Sequence, residues 1–352
     1  MSEKVLLVGT NVRNVAESAR KAGYEVYAIT KYFDLDLRIY CREVYLMREN
    51  CRDLVEKLAQ ENNARVVLCS NAETLEIRAE LLCNDPRVCK KIVDKLKFYR
   101  TLEKAGIPHP EVLKEPEGKT IIKPRVGGGG EGIKFAEKAE NGFILQRYVE
   151  GVPCSVSLIS GREVTPIACN YIFSGWKEMN ASFFRYSGNL TPLRVNEEKR
   201  IEIEKIAVET AQLFDIKGSI GVDFILGDKP YVLELNPRFQ GSLDSIEWSS
   251  DVNLFSMHVK AFENGKVEKV RSKRYAIRAI FFTDRDVDLG TYLVSLVGNP
   301  FFADIPWGFY RKGEPIVSIL ASGNYEDIFA KIIERRDLFL RLNSYLLARS
   351  KE

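Results

Sequence analysis

Two apolar runs, residues 221–226 and 231–238, flank a Gly-Asp turn and constrain the fold of this chain more strongly than any other segment. Their pattern predicts a β-hairpin. Side chains alternate between the faces of a strand, so Glu234 and Asn236 share one face, which Asp223 on the partner strand also reaches. Two carboxylates and an amide oxygen are hard ligands that suit Mg²⁺ or Mn²⁺. The hairpin therefore predicts a metal–nucleotide site, although Asn-Pro also starts ordinary turns.

The same alternation divides the apolar residues of the second strand between its two faces. It places Val232 on the face of the ligands. It turns Leu233 and Leu235 towards the core.

A glycine-rich segment follows a predicted strand at residues 120–124 and precedes a second one that ends at Phe135. Its backbone N–H groups are free to approach phosphate oxygens, because no Cβ stands in the way. The P-loop pattern fails, since Ile133 and Lys134 stand where Lys and Ser or Thr are required. A protein kinase is disfavoured by the lack of HRD and DFG elements. This pattern is compatible with two interpretations, a phosphate-binding loop and an ordinary surface loop.

The N-terminal part alternates strands and helices. Strands are predicted at Lys4–Gly9 and Glu25–Thr30, with a helix at Val12–Ala22 between them. This βαβ rhythm is typical of a parallel sheet. A dinucleotide-binding fold is disfavoured, since the first strand ends in Gly-Thr-Asn and not in Gly-x-Gly-x-x-Gly. Two further helices are predicted at Asp94–Ala105 and near Trp248–Glu263.

Composition and charge argue against several classes of protein. Lys and Arg number 52 against 49 Asp and Glu, a net charge of +3, so neither a nucleic acid nor an anionic membrane is indicated as a partner. The apolar runs are too short for a membrane span, and the start of the chain has no signal-peptide pattern. The seven cysteines include no Cys-x-x-Cys. A reducing, cytoplasmic compartment is therefore expected.

From about residue 85 to about residue 265 the chain resembles the ATP-grasp superfamily. The resemblance rests on the order of its motifs, which are Lys95, Ala105-Gly106-Ile107-Pro108, Lys123-Pro124 with the glycine loop, Gln146–Gly151, Asp223 and Glu234–Arg238. This order is far more specific than any single motif. The start of the chain, with Asp304-Ile305-Pro306 and Gly313–Ile316, looks like the predicted ATP-dependent carboligase, or carboxylate–amine ligase, branch.

The resemblance implies an α/β chain, α+β in its central part, with an ATP-grasp fold preceded by a Rossmann-like domain. The N-terminal βαβ domain is expected at residues 1–88. The small ATP-grasp subdomain, which carries the glycine loop as a lid, is expected at residues 89–149. The large subdomain with the metal site and a C-terminal extension is expected at residues 150–352.

The resemblance also assigns roles to individual residues. It implies that Lys95 and Lys123 contact the phosphates of ATP, and that Arg238 holds the transferred phosphoryl group or the substrate carboxylate, so that Lys123 and Arg238 are the catalytic candidates. Around the nucleotide it places Gly128, Gly129, Gly130, Gln146, Arg147, Tyr148, Val149 and Glu150. One departure concerns the ribose: the family commonly has an acid where this chain has Pro153, and Glu150 is the acid that could substitute.

The activity implied is that of an ATP-dependent ligase, which phosphorylates a carboxylate to an acyl phosphate for attack by an amine or another nucleophile. The expected ligands are ATP, Mg²⁺ (or Mn²⁺) and small-molecule carboxylate and amine substrates. The resemblance is also compatible with a homodimer. One alternative is a non-catalytic nucleotide-binding or regulatory protein, favoured by the missing ribose acid. Another is a carboxylase-type component, disfavoured because the chain has no biotin-accepting Ala-Met-Lys-Met element.

The identity of the second substrate is not determined by the sequence. Residues 171–186 carry Trp176, Phe183, Phe184 and Tyr186 among Gly, Ser and Asn. This composition suits a substrate loop with aromatic walls, and equally a buried aromatic cluster.

Overall fold

The N-terminal part is a parallel four-stranded sheet in this structure, a computed structural model that describes residues 2–289 and 291–342. The strands are β1 (Lys4–Gly9), β2 (Glu25–Thr30), β3 (Glu43–Leu46) and β4 (Arg65–Leu68), in the order β3-β2-β1-β4. The helices of this part are α1 (Arg13–Lys21), α2 (Leu37–Tyr40) and α3 (Arg52–Asn62). The predicted βαβ rhythm is confirmed.

Strand β1 is buried on both faces, as is typical of a parallel sheet covered by helices. Val5 and Leu7 belong to a core cluster shared with α1. Leu6 and Val8 belong to a second cluster, on the other face, shared with α3. Alternate side chains of β1 therefore pack into two different hydrophobic cores, one on each face of the sheet.

Two helices and a small antiparallel sheet follow. The helices are α4 (Pro86–Val93) and α5 (Lys95–Ala105), and the strands are β5 (Val112–Leu113), β6 (Thr120–Pro124), β7 (Lys134–Phe135) and β8 (Phe143–Arg147). The sheet has the order β5-β8-β6-β7. Asp94 caps α5 by accepting from the N–H of Lys97, and Gly106 ends it with φ of 70°. The predicted ends of this helix are confirmed.

The rest of the chain is built on a large sheet in which every pairing is antiparallel. Its strands are β9 (Val152–Ser160), β10 (Val164–Ser174), β11 (Tyr186–Thr191), β12 (Gly218–Leu226), β13 (Pro230–Asn236), β14 (Tyr275–Phe282), β16 (Phe302–Ala303) and β18 (Pro315–Gly323). Their order is β13-β12-β9-β10-β11-β14-β18-β16. Strands β15 (Val287–Leu289) and β17 (Gly308–Tyr310) form a separate pair. The helices are α6 (Glu197–Gln212), α7 (Leu243–Ser250), α8 (Leu254–Phe262) and α9 (Tyr325–Leu342), with 3₁₀ turns at Lys177–Met179 and Thr291–Leu296.

The prediction of one helix near Trp248–Glu263 is wrong, because α7 and α8 are separate helices. Asp251, between them, has a left-handed backbone with φ of 57°. The side chain of Asn253 then caps α8 by accepting from the N–H of Ser256, at 2.7 Å. The chain therefore changes direction where the apolar spacing alone predicts a continuous helix.

The predicted faces of Val232 and Leu233 are also wrong. Asp223 lies opposite Glu234 in the β12–β13 pair. The next residue, Phe224, lies opposite Val232, so Leu233 is an extra residue in β13. This irregularity turns Val232 fully into the core. It also puts Leu233 on the side of Glu234.

The three main sheets draw on residues 4–68, 112–147 and 152–323. The boundaries 1–88, 89–149 and 150–352 stay a prediction, and residues 343–352 of the last unit lie outside the described residues. Within the described chain, no helix has both the length and the apolar character needed to cross a membrane.

Candidate active site

A cavity of about 700 Å³ brings together residues of the two antiparallel sheets with residues of α1 and of the loops that follow strands of the parallel sheet. This volume lies within the usual range of ligand-binding pockets. The predicted site residues that line it are Lys95, Lys123, Gly128, Gly129, Gly130, Gln146, Arg147, Tyr148, Val149, Asp223, Glu234, Asn236 and Arg238. The predicted site residues therefore converge on one cavity, with the exception of Glu150.

The candidate metal ligands lie at the end of the β12–β13 hairpin. Asp223 and Glu234 occupy paired positions, and Asn236 donates from Nδ2 to Oδ2 of Asp223 at 3.1 Å. Arg238 donates from Nη2 to Oδ1 of Asn236, also at 3.1 Å. Asn236 is thus held between a carboxylate and a guanidinium group.

This donor set fits a hard divalent cation. Burial, followed by the negative charge of Glu234, raises the pKa of Asp223 to about 7, so the pair has a surplus of negative charge that a bound cation would relieve. In residues 2–289 and 291–342 no group of three or more His, Cys, Asp or Glu side chains could hold a metal. Two carboxylates and an amide are sufficient for Mg²⁺, which commonly completes its octahedron with water and phosphate oxygens.

Two buried lysines lie near these carboxylates. Lys95, the first residue of α5, donates from Nζ to the carbonyl oxygen of Gly127, and the same Nζ lies 4.0 Å from Oε2 of Glu234. Lys123, in β6, donates to the hydroxyl of Tyr99 at 2.6 Å. Burial lowers the pKa of Lys123 to about 8, so its ammonium form still predominates at neutral pH. Both lysines can present positive charge to the phosphates of a nucleotide.

The glycine loop between β6 and β7 lies over the hairpin ligands. A Cβ added to Gly128 would be 3.9 Å from Oε1 of Glu234 and 4.0 Å from Nη2 of Arg238. At Gly130, where φ is 73°, a Cβ would stand 1.8 Å from the carbonyl oxygen of Phe184. The loop is thus pressed against the segment around Phe184, and only glycine fits there.

The segment 146–151 forms another wall of the cavity. Gln146 donates from Nε2 to the carbonyl oxygen of Pro110 at 2.9 Å. Its buried Oε1 has no hydrogen-bond partner within the described residues, so it can accept from a ligand. Tyr148 and Val149 line the cavity. The guanidinium group of Arg147 pairs with Glu111 at 2.9 Å.

The side chain of Glu150 does not line this cavity. It is fully exposed and accepts from Nζ of Lys119 at 2.5 Å, which lowers the pKa of Glu150. Pro153 occupies the wall at the position where the family commonly has an acid. The geometry therefore gives no support to Glu150 as the group that holds the ribose.

Arg238 is oriented by a residue that the sequence reasoning missed. Its Nε donates to Oε1 of Glu73 at 3.3 Å, and its Nη1 donates to the carbonyl oxygen of Phe239 at 3.1 Å. Glu73 lies after β4 in the N-terminal part, 165 positions away. No local motif marks this contact.

The sequence left open whether the aromatic segment 171–186 is a substrate loop or a buried cluster, and the structure shows both features in different parts of it. Phe183, Phe184 and Tyr186 line the cavity. Trp176 is partly buried and packs against the core residue Phe173, with ring centroids 4.4 Å apart. One end of the segment is therefore a cavity wall and the other is a packed cluster.

A further part of the cavity is lined by polar side chains that the sequence reasoning did not assign to the site. They are Asn11, Asn14, Asp34, Arg278, Asp304 and Ser318. They come from the N-terminal part and from the last strands of the large sheet. The cavity thus has room for a second ligand group beside the nucleotide candidates.

Residues 92–242 match the family model of the ATP-grasp domain. An L-amino acid ligase from Bacillus licheniformis has the same fold, with a TM-score of 0.68 at 15% identity and 97% of each chain covered. Residues 92–242 are therefore an ATP-grasp domain, and both the resemblance and the fold predicted from the sequence are confirmed.

Two curated relatives extend this comparison. An uncharacterised protein of Methanocaldococcus jannaschii is 27% identical, with 94% of this chain and 91% of that protein covered. A tyramine–L-glutamate ligase of Methanocaldococcus fervens is also 27% identical, but the match spans only 52% of this chain and 58% of the ligase. Among these relatives, the one with a named activity is a ligase.

Proposed function

We propose that the protein is an ATP- and magnesium-dependent ligase that activates a carboxylate as an acyl phosphate and joins it to an amine. One observation carries the proposal: Lys95, Lys123 and the glycine loop share a single cavity with Asp223 and Glu234. Phosphoryl transfer needs positioning and charge neutralisation more than covalent protein chemistry, and this arrangement supplies both. The relatives named as amine and amino-acid ligases support the same class.

The reaction takes place in two steps. A carboxylate oxygen of the substrate bonds to the γ-phosphorus of ATP while the bond to the β,γ-bridging oxygen breaks, and ADP leaves with that electron pair. The amine nitrogen then attacks the acyl carbon, the bond from that carbon to the phosphate oxygen breaks, and inorganic phosphate leaves. The released phosphate or solvent takes the proton that the amine loses.

The side chains of the cavity have distinct roles in this scheme. Lys95 and Lys123 place positive charge on the phosphates, and Arg238 holds the transferred phosphoryl group or the carboxylate in its forked geometry. Free N–H groups of the glycine loop lie near the same phosphates. Asp223, Glu234 and Asn236 would hold a divalent metal, which would supply charge neutralisation for the phosphates.

The test combines ADP release with trapping of the intermediate. Purified protein is incubated with Mg-ATP, a panel of carboxylates and a panel of amines, and ADP is quantified. We expect ADP formation that requires a particular carboxylate. With hydroxylamine in place of the amine, the same carboxylate should give a hydroxamate, because hydroxylamine captures acyl phosphates.

A non-catalytic nucleotide-binding protein is the second candidate. Pro153 in the position of the usual ribose acid, and Glu150 directed to solvent, favour it. Nucleotide binding without ADP formation across the whole panel would support this candidate and contradict the ligase.

A cytoplasmic location belongs to the same proposal. All seven cysteines are free in the structure, and five of them are buried. Free thiols are typical of a reducing compartment.

A further inference from the structure

One carboxylate in the wall of the cavity has no role in the scheme above. Asp34 follows β2, lines the cavity, and is only 4% exposed. Its Oδ2 is buried, and no described residue offers it a hydrogen bond. An unpartnered buried carboxylate oxygen is costly, so its presence at a cavity wall points to a partner supplied by a ligand.

The charged groups beside Asp34 are engaged with one another. Arg13 donates from Nη2 to Oδ2 of Asp244 at 2.7 Å and from Nε to Oδ1 of Asp304 at 3.3 Å. Arg278 donates from Nη2 to Oδ2 of Asp304 at 2.7 Å, while its buried Nε lies 3.3 Å from Oδ2 of Asp244 and makes no hydrogen bond within the described residues. Neither guanidinium group makes an ion pair with Asp34 among the described residues.

Carboxylates outnumber cationic groups in this buried network. Its buried members are Arg13 and Arg278 on one side and Asp34, Asp36, Asp244 and Asp304 on the other, with Glu17 and the half-exposed Lys21 at its edge. Burial, then the charges of Asp304 and Asp36, raise the pKa of Asp34 well above its ordinary value. A ligand group that brings positive charge to this wall would therefore stabilise the ionised form of Asp34.

We infer that Asp34 is a subsite for the ammonium group of a substrate. An ammonium ion supplies the positive charge that the network lacks and donors for the free oxygen of Asp34. An amine that attacks an acyl phosphate must be unprotonated, so the bound ammonium is a group other than the attacking one. The substrate is then an amino acid that donates its carboxylate, or a diamine that accepts the acyl group. This choice of substrates rests on the proposed ligase function.

Calorimetric titration of the full chain in the presence of Mg-ADP tests the subsite without requiring turnover. The probes are L-amino acids and aliphatic diamines, each compared with the counterpart that lacks one amino group. We expect at least one ammonium-bearing probe to bind about tenfold or more tightly than its counterpart, the scale of a charge-assisted hydrogen bond. Amino acids and diamines form separate arms, so the preferred arm identifies the substrate.

Asp34→Asn should abolish this preference, with a loss of roughly ten- to a hundredfold in affinity. The matched control is Asp36→Asn, which removes the same charge from the same network. Asp36 does not line the cavity, and its two oxygens accept from the N–H groups of Asp304 and Ile305 at 3.1 Å and 2.9 Å. This control leaves the free oxygen of Asp34 in place, so it should reduce the preference much less than Asp34→Asn does. Thermal unfolding should show Asp34→Asn folded and at least as stable as the wild type.

Three outcomes would overturn the subsite: no ammonium-bearing probe binds, the counterparts bind equally well, or Asp34→Asn retains the preference. Turnover is scored separately. If binding is selective and depends on Asp34 but no ADP forms, the subsite is supported and the ligase function is contradicted. If ADP forms from substrates without any cationic group, and Asp34→Asn does not change its rate, the ligase function is supported and the subsite is contradicted.

Discussion

Asp223 and Glu234 lie in directly paired positions on β12 and β13, so two carboxylates face one cavity within a single hairpin. Burial and the charge of Glu234 raise the pKa of Asp223 to about 7. Like charges held this close destabilise the folded chain without ligand. The same closeness would let the two carboxylates hold a divalent cation, whose charge would offset their repulsion.

Glu234→Gln should reduce turnover much more than it reduces stability. The amide keeps the shape of the side chain but removes charge that balances the metal as phosphoryl charge moves. We expect the rate of ADP formation to fall by about two powers of ten or more, the scale of losing one transition-state stabiliser. The measurement is ADP release with the activating carboxylate.

Glu163→Gln is the matched control for this variant, since Glu163 is exposed in the turn between β9 and β10. It should leave the rate unchanged. Near-normal ADP production by Glu234→Gln would remove the main support for the metal assignment of the hairpin.

Asp223→Asn should stabilise the chain in the absence of metal and nucleotide at pH 8. The pKa of Asp223 is raised by folding, so the folded state binds this proton more tightly, and stability falls as pH rises from about 4 to about 7. The amide removes this penalty. We expect Tm to rise by roughly 2–4 °C, the shift that about 1 kcal/mol produces in a chain of this order of size.

The same comparison at lower pH provides the control. Below about pH 4, Asp223 is protonated in both states, and the difference in Tm between wild type and variant should disappear. Unfolding is followed by calorimetry with a chelator present. A variant less stable than the wild type at pH 8 would show that the negative charge of Asp223 is already balanced by protein groups in the absence of metal.

The affinity for Mg-ADP should fall as pH rises through about 8. Burial lowers the pKa of Lys123 to about 8, so its ammonium group, and with it one phosphate contact, is lost over this range. We expect a loss of about tenfold between pH 7 and pH 9.5, consistent with one charge-assisted hydrogen bond. Lys123→Met should bind Mg-ADP weakly at pH 7, and its affinity should show no drop near pH 8. A drop that persists in this variant would assign the titration to another group.

Gly130→Ala should open the contact between the glycine loop and the segment around Phe184. Its Cβ would meet the carbonyl oxygen of Phe184 at 1.8 Å, so one of the two segments must move. We expect faster proteolysis of the loop at residues 126–132. The protection that Mg-ATP should give the wild-type loop, acting as a lid, should be reduced.

Gly129→Ala is a closely matched control. Gly129 and Gly130 have similar backbone angles, with φ of 66° and 73°, so both variants carry the same kind of backbone strain. A Cβ at Gly129 meets nothing within 4 Å. Equal proteolysis of the two variants would attribute the effect to backbone strain and not to the contact with Phe184.

Local structure was predicted well where local chemistry decides it. Strands β1 and β2 have the bounds that their apolar runs predict, and α5 begins and ends at its Asp and Gly caps. The break between α7 and α8 was missed because distant contacts help to hold it. Asn253 donates to the carbonyl oxygen of Ser18 at 2.8 Å, and Asp251 pairs with Arg274 at 2.6 Å.

The sequence by itself determined the ATP-grasp domain, the α/β class and the hairpin that carries Asp223, Glu234 and Asn236, because these depend on motif order and on strand periodicity. Only the tertiary structure decided which groups surround them. Glu73 reaches Arg238 from 165 positions away. Asp34 enters the same cavity from the loop after β2. No periodic or local sequence pattern marks either residue as part of the site, because their positions in it depend on how the separate sheets pack together.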